Sequence, residues 1–268
     1  MNNPLVTILI STYNGERYIR ETIESLKKQT YSNLEIIIVD DKSTDKTIDV
    51  LETIDGIIIV KNKINKGLNK SVNDALKYCK GKYLVLFGHD DIMLPDRIKK
   101  QVDFMESHNC LASFGNSYYM YGDLKSTDLL VKNLFKALLF NKIKNTFLLF
   151  MLDLQYNSNS MIARLDAVKK VNGFETWFKN IGESYLYYKI ALVGQIMYQD
   201  EVLSYYRKHD SNMTYIELSS RKESYKTKIK ILEMFFRNYN FRNKRFYFMI
   251  NKIVLLIEKL RFIAISSG

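Results

Sequence analysis

Residues 34–45 read Leu34-Glu35-Ile36-Ile37-Ile38-Val39-Asp40-Asp41-Lys42-Ser43-Thr44-Asp45. Ile36 to Val39 form a continuous apolar run, the pattern of a parallel strand covered on both faces rather than a strand with one wet side. Polarity then switches within one residue to two carboxylates, so the strand should end on a polar rim. Ser43 or Thr44 is placed to cap a helix carrying Ile48 and Leu51.

The same alternation extends to either side of this stretch. Upstream, Val6 to Ile10 is rich in β-branched residues, and Tyr18, Ile19, Ile23 and Leu26 follow at helical spacing. Downstream, Ile57 to Val60 predicts a third strand, and Leu68, Val72, Ala75, Leu76 and Cys79 form one helical stripe. Tyr83 to Phe87 predicts a fourth strand. Pro95 suits the first turn of a helix that turns Ile98, Val102 and Met105 inward. This βαβαβαβα order predicts a doubly wound, mostly parallel α/β sheet with helices on both faces. Ligands of such sheets gather at the carboxyl ends of the strands. There the chain places Ser11 to Gly15, Asp40 to Asp45, Asn62 to Gly67, and Gly88-His89-Asp90-Asp91.

The whole chain has 268 residues, 47% hydrophobic and 26% charged, the balance of a folded globular protein. Three segments are expected: 1–105, which carries the regular alternation, 106–217, a less regular part of the same domain, and 218–268, a basic amphipathic helical tail. Cys79 and Cys110 make no disulfide framework and no C-x-x-C, and read as buried thiols. No apolar run reaches the ~18 residues of a spanning helix, and Met1 to Pro4 lacks the basic start of a signal peptide. A cytoplasmic location is therefore expected.

Charge is uneven. Of a net +11, the tail from Leu218 carries +9, from twelve Lys/Arg against three Glu. Large apolar residues are interleaved among those cations at helical spacing. That suits an anionic membrane face better than a nucleic acid, with packing onto the main domain as the competing use of the apolar side.

Two acidic pairs stand out. Asp90-Asp91 ends a buried strand, where adjacent carboxylates repel unless a cation or hydrogen bonds hold them. Oxygen ligands on an open rim suit Mg²⁺ or Mn²⁺. Asp40-Asp41 ends the second strand, where an acidic side chain can bond a ribose or a base. The first turn, Ser11-Thr12-Tyr13-Asn14-Gly15-Glu16, has no G-x-G-x-x-G, and no P-loop occurs anywhere. Nicotinamide and P-loop chemistry are thereby excluded.

Taken together, V-T-I-L-I-S-T-Y-N-G, E-I-I-I-V-D-D-K-S-T-D-K-T, N-K-G-L-N-K-S-V-N-D-A-L and G-K-Y-L-V-L-F-G-H-D-D-I-M-L-P-D-R resemble the family-2 glycosyltransferases of the GT-A fold. The later V-N-G-F-E, I-G-E-S-Y and D-E-V-L-S-Y-Y-R-K-H follow in the same order, so the likeness runs over about residues 4–212. The resemblance implies inverting transfer of a sugar from a nucleotide diphosphate, a UDP-sugar, to a glycan or lipid-linked acceptor in bacterial surface-polysaccharide synthesis. It implies that 1–105 is the nucleotide-sugar-binding half and 106–217 the acceptor-side half, that Thr12, Tyr13 and Asn14 line the nucleotide pocket, and that Asp41, with Asp40 beside it, contacts the base. Lys70 and Asn73 would face the nucleotide or diphosphate. Asp90 and Asp91 would bind ribose and the metal–diphosphate, and His209 would close over the diphosphate or ligate Mn²⁺ or Mg²⁺. Glu183 would be the general base.

Two positions depart from the family pattern. Gly88 stands where a D-x-D motif begins, and Ser184 follows Glu183 where an Asp is common. They motivate an alternative, a non-catalytic sugar-nucleotide-binding protein of the same fold.

Overall fold

The computed structural model describes residues 3–130, 138, 141–145, 147–148, 157–176, 183–210, 212, 233–237, 240, 242–250, 252–253 and 256. The first half is β1 (Val6–Thr12), α1 (Ile19–Lys27), β2 (Leu34–Asp40), α2 (Thr47–Glu52), β3 (Ile58–Lys61), α3 (Leu68–Ala75), β4 (Tyr83–Phe87), β5 (Ile92–Met93) and α4 (Arg97–His108). Then come β6 (Ala112–Tyr121), β7 (Leu124–Leu129), a 3₁₀ turn at Ser158–Ser160, β8 (Ile162–Arg164), α5 (Leu165–Lys170), α6 (Glu183–Val193) and β9 (Ile196–Lys208).

The strands form one sheet in the order β3-β2-β1-β4-β8-β6-β9-β5, with β7 paired to β6. Strands β1 to β4 are parallel to one another, as expected, and β5 pairs antiparallel with β9. Beyond β4 the sheet becomes mixed: β8 runs antiparallel to both β4 and β6, and β6 is parallel to β9. The apolar run Ile36 to Val39 is split by the pleat. Ile36 and Ile38 pack with α1 and α4 through Ile23, Leu26, Ile98 and Val102. Ile37 and Val39 pack on the other face with Val72 and Ala75 of α3, in a cluster that includes Tyr185, Leu186 and Ile190 of α6. Cys79 and Cys110 are buried free thiols, and burial pushes Cys110 up to about 11.

Two expectations change. The start of α2 is held by Asp45, whose Oδ1 accepts the Thr47 amide at 3.0 Å. Ser43 and Thr44 are not its caps, because both are bonded across to Asn14. The tail also differs from a purely surface-facing element. Phe235, Phe236 and Tyr247 are buried, with Phe235 4.9 Å from the Tyr185 ring and Tyr247 5.1 Å from that of Phe147. These residues complete the α6 side of the core, where packing wins over exposure. The expected helical residues Ile229, Ile231 and Leu232 lie outside the described residues, as does most of the apolar stretch 129–154.

Candidate nucleotide and diphosphate site

The loops after β1 and β2 are laced together. The Asn14 amide donates to Ser43 Oγ at 2.9 Å, and Asn14 Oδ1 accepts the Thr44 amide at 2.8 Å. The Gly15 amide reaches Thr47 Oγ1 at 2.8 Å, and the Glu16 amide reaches Asp45 Oδ2 at 3.1 Å. Asn14 sits at φ +53°, a left-handed conformation that Asn tolerates better than most residues. It is a strut between two loops. Beside it Tyr13 is 47% exposed and offers a ring to the rim.

Thr12 and Asp40 are register partners on adjacent parallel strands, so their side chains leave the same face of the sheet. Both residues are buried, and neither Thr12 Oγ1 nor Asp40 Oδ1 has a hydrogen-bond partner. Asp40 Oδ2 accepts the Ser43 amide at 3.0 Å. Buried polar atoms left unpaired cost about 1–3 kcal/mol each, so these two leave hydrogen-bonding capacity unmet on adjacent strand ends.

Asp41, the other half of the pair, is fully engaged. Its Oδ1 accepts from Asn62, Ser71 and the Lys66 amide at 2.9, 2.7 and 2.8 Å, and its Oδ2 accepts the Gly67 amide at 2.7 Å. Burial pulls its pKa up, but these donors outweigh burial and hold it below the usual carboxylate range. The side chain expected to contact a base anchors the β3–α3 loop. Replacing Asp41 by Ala is expected to destabilise the fold by about 2–4 kcal/mol, since several donors lose their acceptor and only some regain water. Because the folded pKa is depressed, this stabilisation is complete above the ordinary value of 3.8 and is lost as pH falls through the folded value. Urea titrations of both proteins at neutral and acid pH check this; equal midpoints at neutral pH would refute the anchor.

Asn73 is likewise a clamp. Its amide donates to Phe174 O at 2.7 Å, and its Oδ1 accepts the Phe174 amide at 2.8 Å. Gly173 bends there at φ +57°, and a Cβ on it would run into Asn73 Oδ1. Lys189 of α6 then reaches Glu175 at 2.9 Å. The chain α3–Asn73–Phe174/Glu175–Lys189 thus fixes α6, whose first residue is Glu183. The Glu183 side chain lies outside the described residues. Lys70, one turn into α3, is exposed.

The second acidic pair divides as the first does. Asp91 is buried; its Oδ1 accepts the Arg207 amide at 2.9 Å, and its Oδ2 accepts from Asn159. Burial and the neighbouring Asp90 charge push its pKa well up, against those two donors and the charge of Arg97. It was expected on an open rim and is instead inside. Asp90 Oδ2 meets His209 Nε2 at 2.9 Å and the Asn212 amide nitrogen at 3.0 Å. Burial raises the Asp90 pKa, yet the His209 bond and the charges of His89 and His209 win and hold it low. A Cβ on Gly88 would come within 2.7 Å of Asp91 Oδ2 and 2.8 Å of Asp90 Oδ1. The space a first motif Asp would need is filled by the two carboxylates that follow it.

Under this pair lies a residue that the sequence reading passed over. Arg207 is fully buried. Its Nε donates to Asp90 O and one Nη to Gly122 O, both at 2.7 Å, and it pairs with Asp123 at 2.6 Å and with Glu21. Its guanidinium stands 4.5 Å over the Tyr18 ring, and that ring lies 4.8 Å from His209. Arg207 therefore carries the strand end on which Asp90 and His209 meet. Its position two residues before His209 on β9 was the available signal, since alternate residues of a strand share a face.

Among the described residues no three His, Cys, Asp or Glu side chains gather into a ready metal site. Asp90 and His209 supply one carboxylate oxygen and one imidazole nitrogen, donors that suit Mn²⁺ or Mg²⁺ when phosphate oxygens and water complete the shell. The donor set fits a metal shared with a diphosphate.

Residues 7–170 match the family described as Glycosyl transferase family 2. An uncharacterized glycosyltransferase of Haemophilus influenzae is 31% identical over 249 residues, 85% of this chain and 73% of that protein. The Escherichia coli UDP-Glc:alpha-D-GlcNAc-diphosphoundecaprenol beta-1,3-glucosyltransferase WfaP is 42% identical over 125 residues, 46% of this chain and 49% of that protein. Among solved structures, Staphylococcus aureus TarS 1-349 in complex with UDP-GlcNAc superposes with a TM-score of 0.72 at 20% identity, over 94% of this chain and 71% of that one. The mannosyltransferase PcManGT of Pyrobaculum calidifontis in complex with GDP-Man and Mn²⁺ gives a TM-score of 0.73 at 16% identity, over 100% and 76%. At these identities the two structures speak to the fold.

Proposed function

Since the chain belongs to glycosyl transferase family 2 and is a glycosyltransferase, we propose that it moves a sugar from a uridine diphosphate donor to a lipid-linked glycan of a bacterial surface polysaccharide, with inversion. The observation that carries the donor reading is the pair of unpartnered buried atoms, Thr12 Oγ1 and Asp40 Oδ1. A carboxylate oxygen there accepts the imide N–H of uracil, the Thr12 hydroxyl bonds the same base edge, and Tyr13 covers its face. The diphosphate then extends along the strand ends toward Asp90 and His209, with exposed Lys70 available to its charge. WfaP, whose name carries a UDP-glucose donor and a diphosphoundecaprenol acceptor, and TarS, solved in complex with UDP-GlcNAc, support the same choice.

In the transfer, Glu183 takes the proton of the acceptor hydroxyl while that oxygen attacks the anomeric carbon. The bond from carbon to the diphosphate oxygen breaks on the opposite face, and the charge grows on the leaving diphosphate. Asp90 and His209 would hold a divalent ion, which when bound stabilises that charge. Asp91, Asn159 and Arg207 keep Asp90 oriented, and Asp41, Asn14 and Asn73 keep the loops of the pocket in place.

Calorimetry with UDP, GDP and CDP in the presence of Mn²⁺ tests the donor reading. UDP is expected to bind at least about tenfold more tightly than the others, a difference of about 1.4 kcal/mol. Asp40→Asn, which turns part of that acceptor into a donor, should erase the preference. Equal binding of all three nucleotides would sink it.

A further inference from the structure

Residues 244–250, 252–253 and 256 are helical. One side of this segment is in the core through Tyr247. The other side is open: Phe246, Met249, Ile253 and Leu256 are 50%, 54%, 52% and 58% exposed. Their spacing of three, four and three residues puts all four within about 80° of the helix circumference. This is one continuous apolar stripe. Arg245 and Lys252 run along one edge of it, and Arg242 lies at its start; all three are exposed.

We infer that this stripe is a docking surface for an anionic lipid bilayer. Between Glu233 and Glu258 the chain carries five cations, Arg237, Arg242, Lys244, Arg245 and Lys252, and no carboxylate. An apolar stripe bordered by cations matches the headgroup boundary, where acyl chains take the stripe and lipid phosphates take the charges. A second copy fits less well. A two-fold contact through the stripe would set Arg245 and Lys252 against their own kind. Nucleic acid would use the cations but leave four large apolar side chains in water. Among the described residues no helix is long and apolar enough to cross a membrane, so the segment would lie on the surface. The inference does not depend on the donor or acceptor proposed above.

Removing the whole tail is an unsuitable test, because Phe235, Phe236 and Tyr247 belong to the core. The test is co-sedimentation of the full chain with phosphatidylglycerol-containing vesicles and with phosphatidylcholine vesicles, in the absence of sugar nucleotide. The native protein is expected to bind the anionic vesicles at low salt, less so at high salt, and the neutral ones weakly. Met249→Asp combined with Ile253→Asp should lower the partition coefficient about tenfold or more. Circular dichroism and thermal melting verify that this variant is folded. Arg245→Glu with Lys252→Glu, at exposed sites outside the core, serves as the second variant and should abolish the preference for anionic lipid. Native protein that fails to sediment with anionic vesicles at low salt overturns the inference. So does undiminished binding by both folded variants. A native dimer lost in Met249→Asp/Ile253→Asp, without vesicle binding, would assign the stripe to a second copy instead.

Discussion

Glu183→Gln is expected to reduce sugar transfer by about 10²–10⁴-fold while donor affinity stays nearly constant, the usual contribution of a positioned general base. The substitution keeps size and polarity and removes the ability to take a proton. The argument for this position is one of support. Glu183 is the first residue of α6, and α6 is tied to the fold from both sides. Lys189 is buried against Glu175, and the Glu175 loop is clamped to α3 through Asn73 and Asn69. Tyr185, Leu186 and Ile190 fill the core beneath. These contacts hold the helix that begins at Glu183, and Ser184 stands where a second carboxylate is common, which leaves Glu183 as the local carboxylate for the role. Turnover is measured with the donor identified by calorimetry and a lipid-linked acceptor, and donor affinity is measured separately. A variant with near-native turnover would move the base elsewhere. A native protein that binds donor but transfers nothing would favour the binding-protein alternative.

Asp90→Asn should cost about 10²–10³-fold in transfer, the scale of losing one group that stabilises developing negative charge, and should remove the effect of Mn²⁺ on donor binding. The amide is nearly isosteric, and Arg207 grips the Asp90 backbone oxygen rather than its side chain, so the fold should survive. Asp91 answers differently. Its carboxylate is inside, accepting from the Arg207 amide and Asn159, so Asp91→Ala strands two donors and is expected to lower the melting temperature more than it alters metal dependence. Calorimetry with and without Mn²⁺, paired with thermal melting of both variants, separates the two roles. Unchanged Mn²⁺ dependence in Asp90→Asn would remove Asp90 from the diphosphate site.

Much of the fold is legible in local pattern because its causes are local. A run such as Ile36 to Val39 buries both faces only in a covered parallel strand, and the stripes of α1, α3 and α4 bury one face each. The mixed second half is less legible. β8 is three residues long and its neighbours come from far along the chain, so no periodicity announces where it inserts.

The sequence alone determined that Thr12, Asp40, Asp41, Asp90 and Asp91 lie at or just past the ends of the first, second and fourth strands, because each group closes an apolar run; His209 came only with the resemblance. It could not say which of two adjacent carboxylates the fold takes as an anchor. Asp40 and Asp41, like Asp90 and Asp91, are the same residue type one position apart, Asp40 closing β2 and Asp41 just past it, Asp90 and Asp91 in the bend between β4 and β5. The groups that decide it come from distant chain: Asn62, Ser71 and the Lys66 and Gly67 amides claim Asp41, while Asn159 and the Arg207 amide claim Asp91. The tail was divided in the same way. Its composition gave cations and aromatics together, but only packing against Phe147 and Tyr185 decided that Phe235, Phe236 and Tyr247 belong to the core, leaving Phe246, Met249, Ile253 and Leu256 in the open.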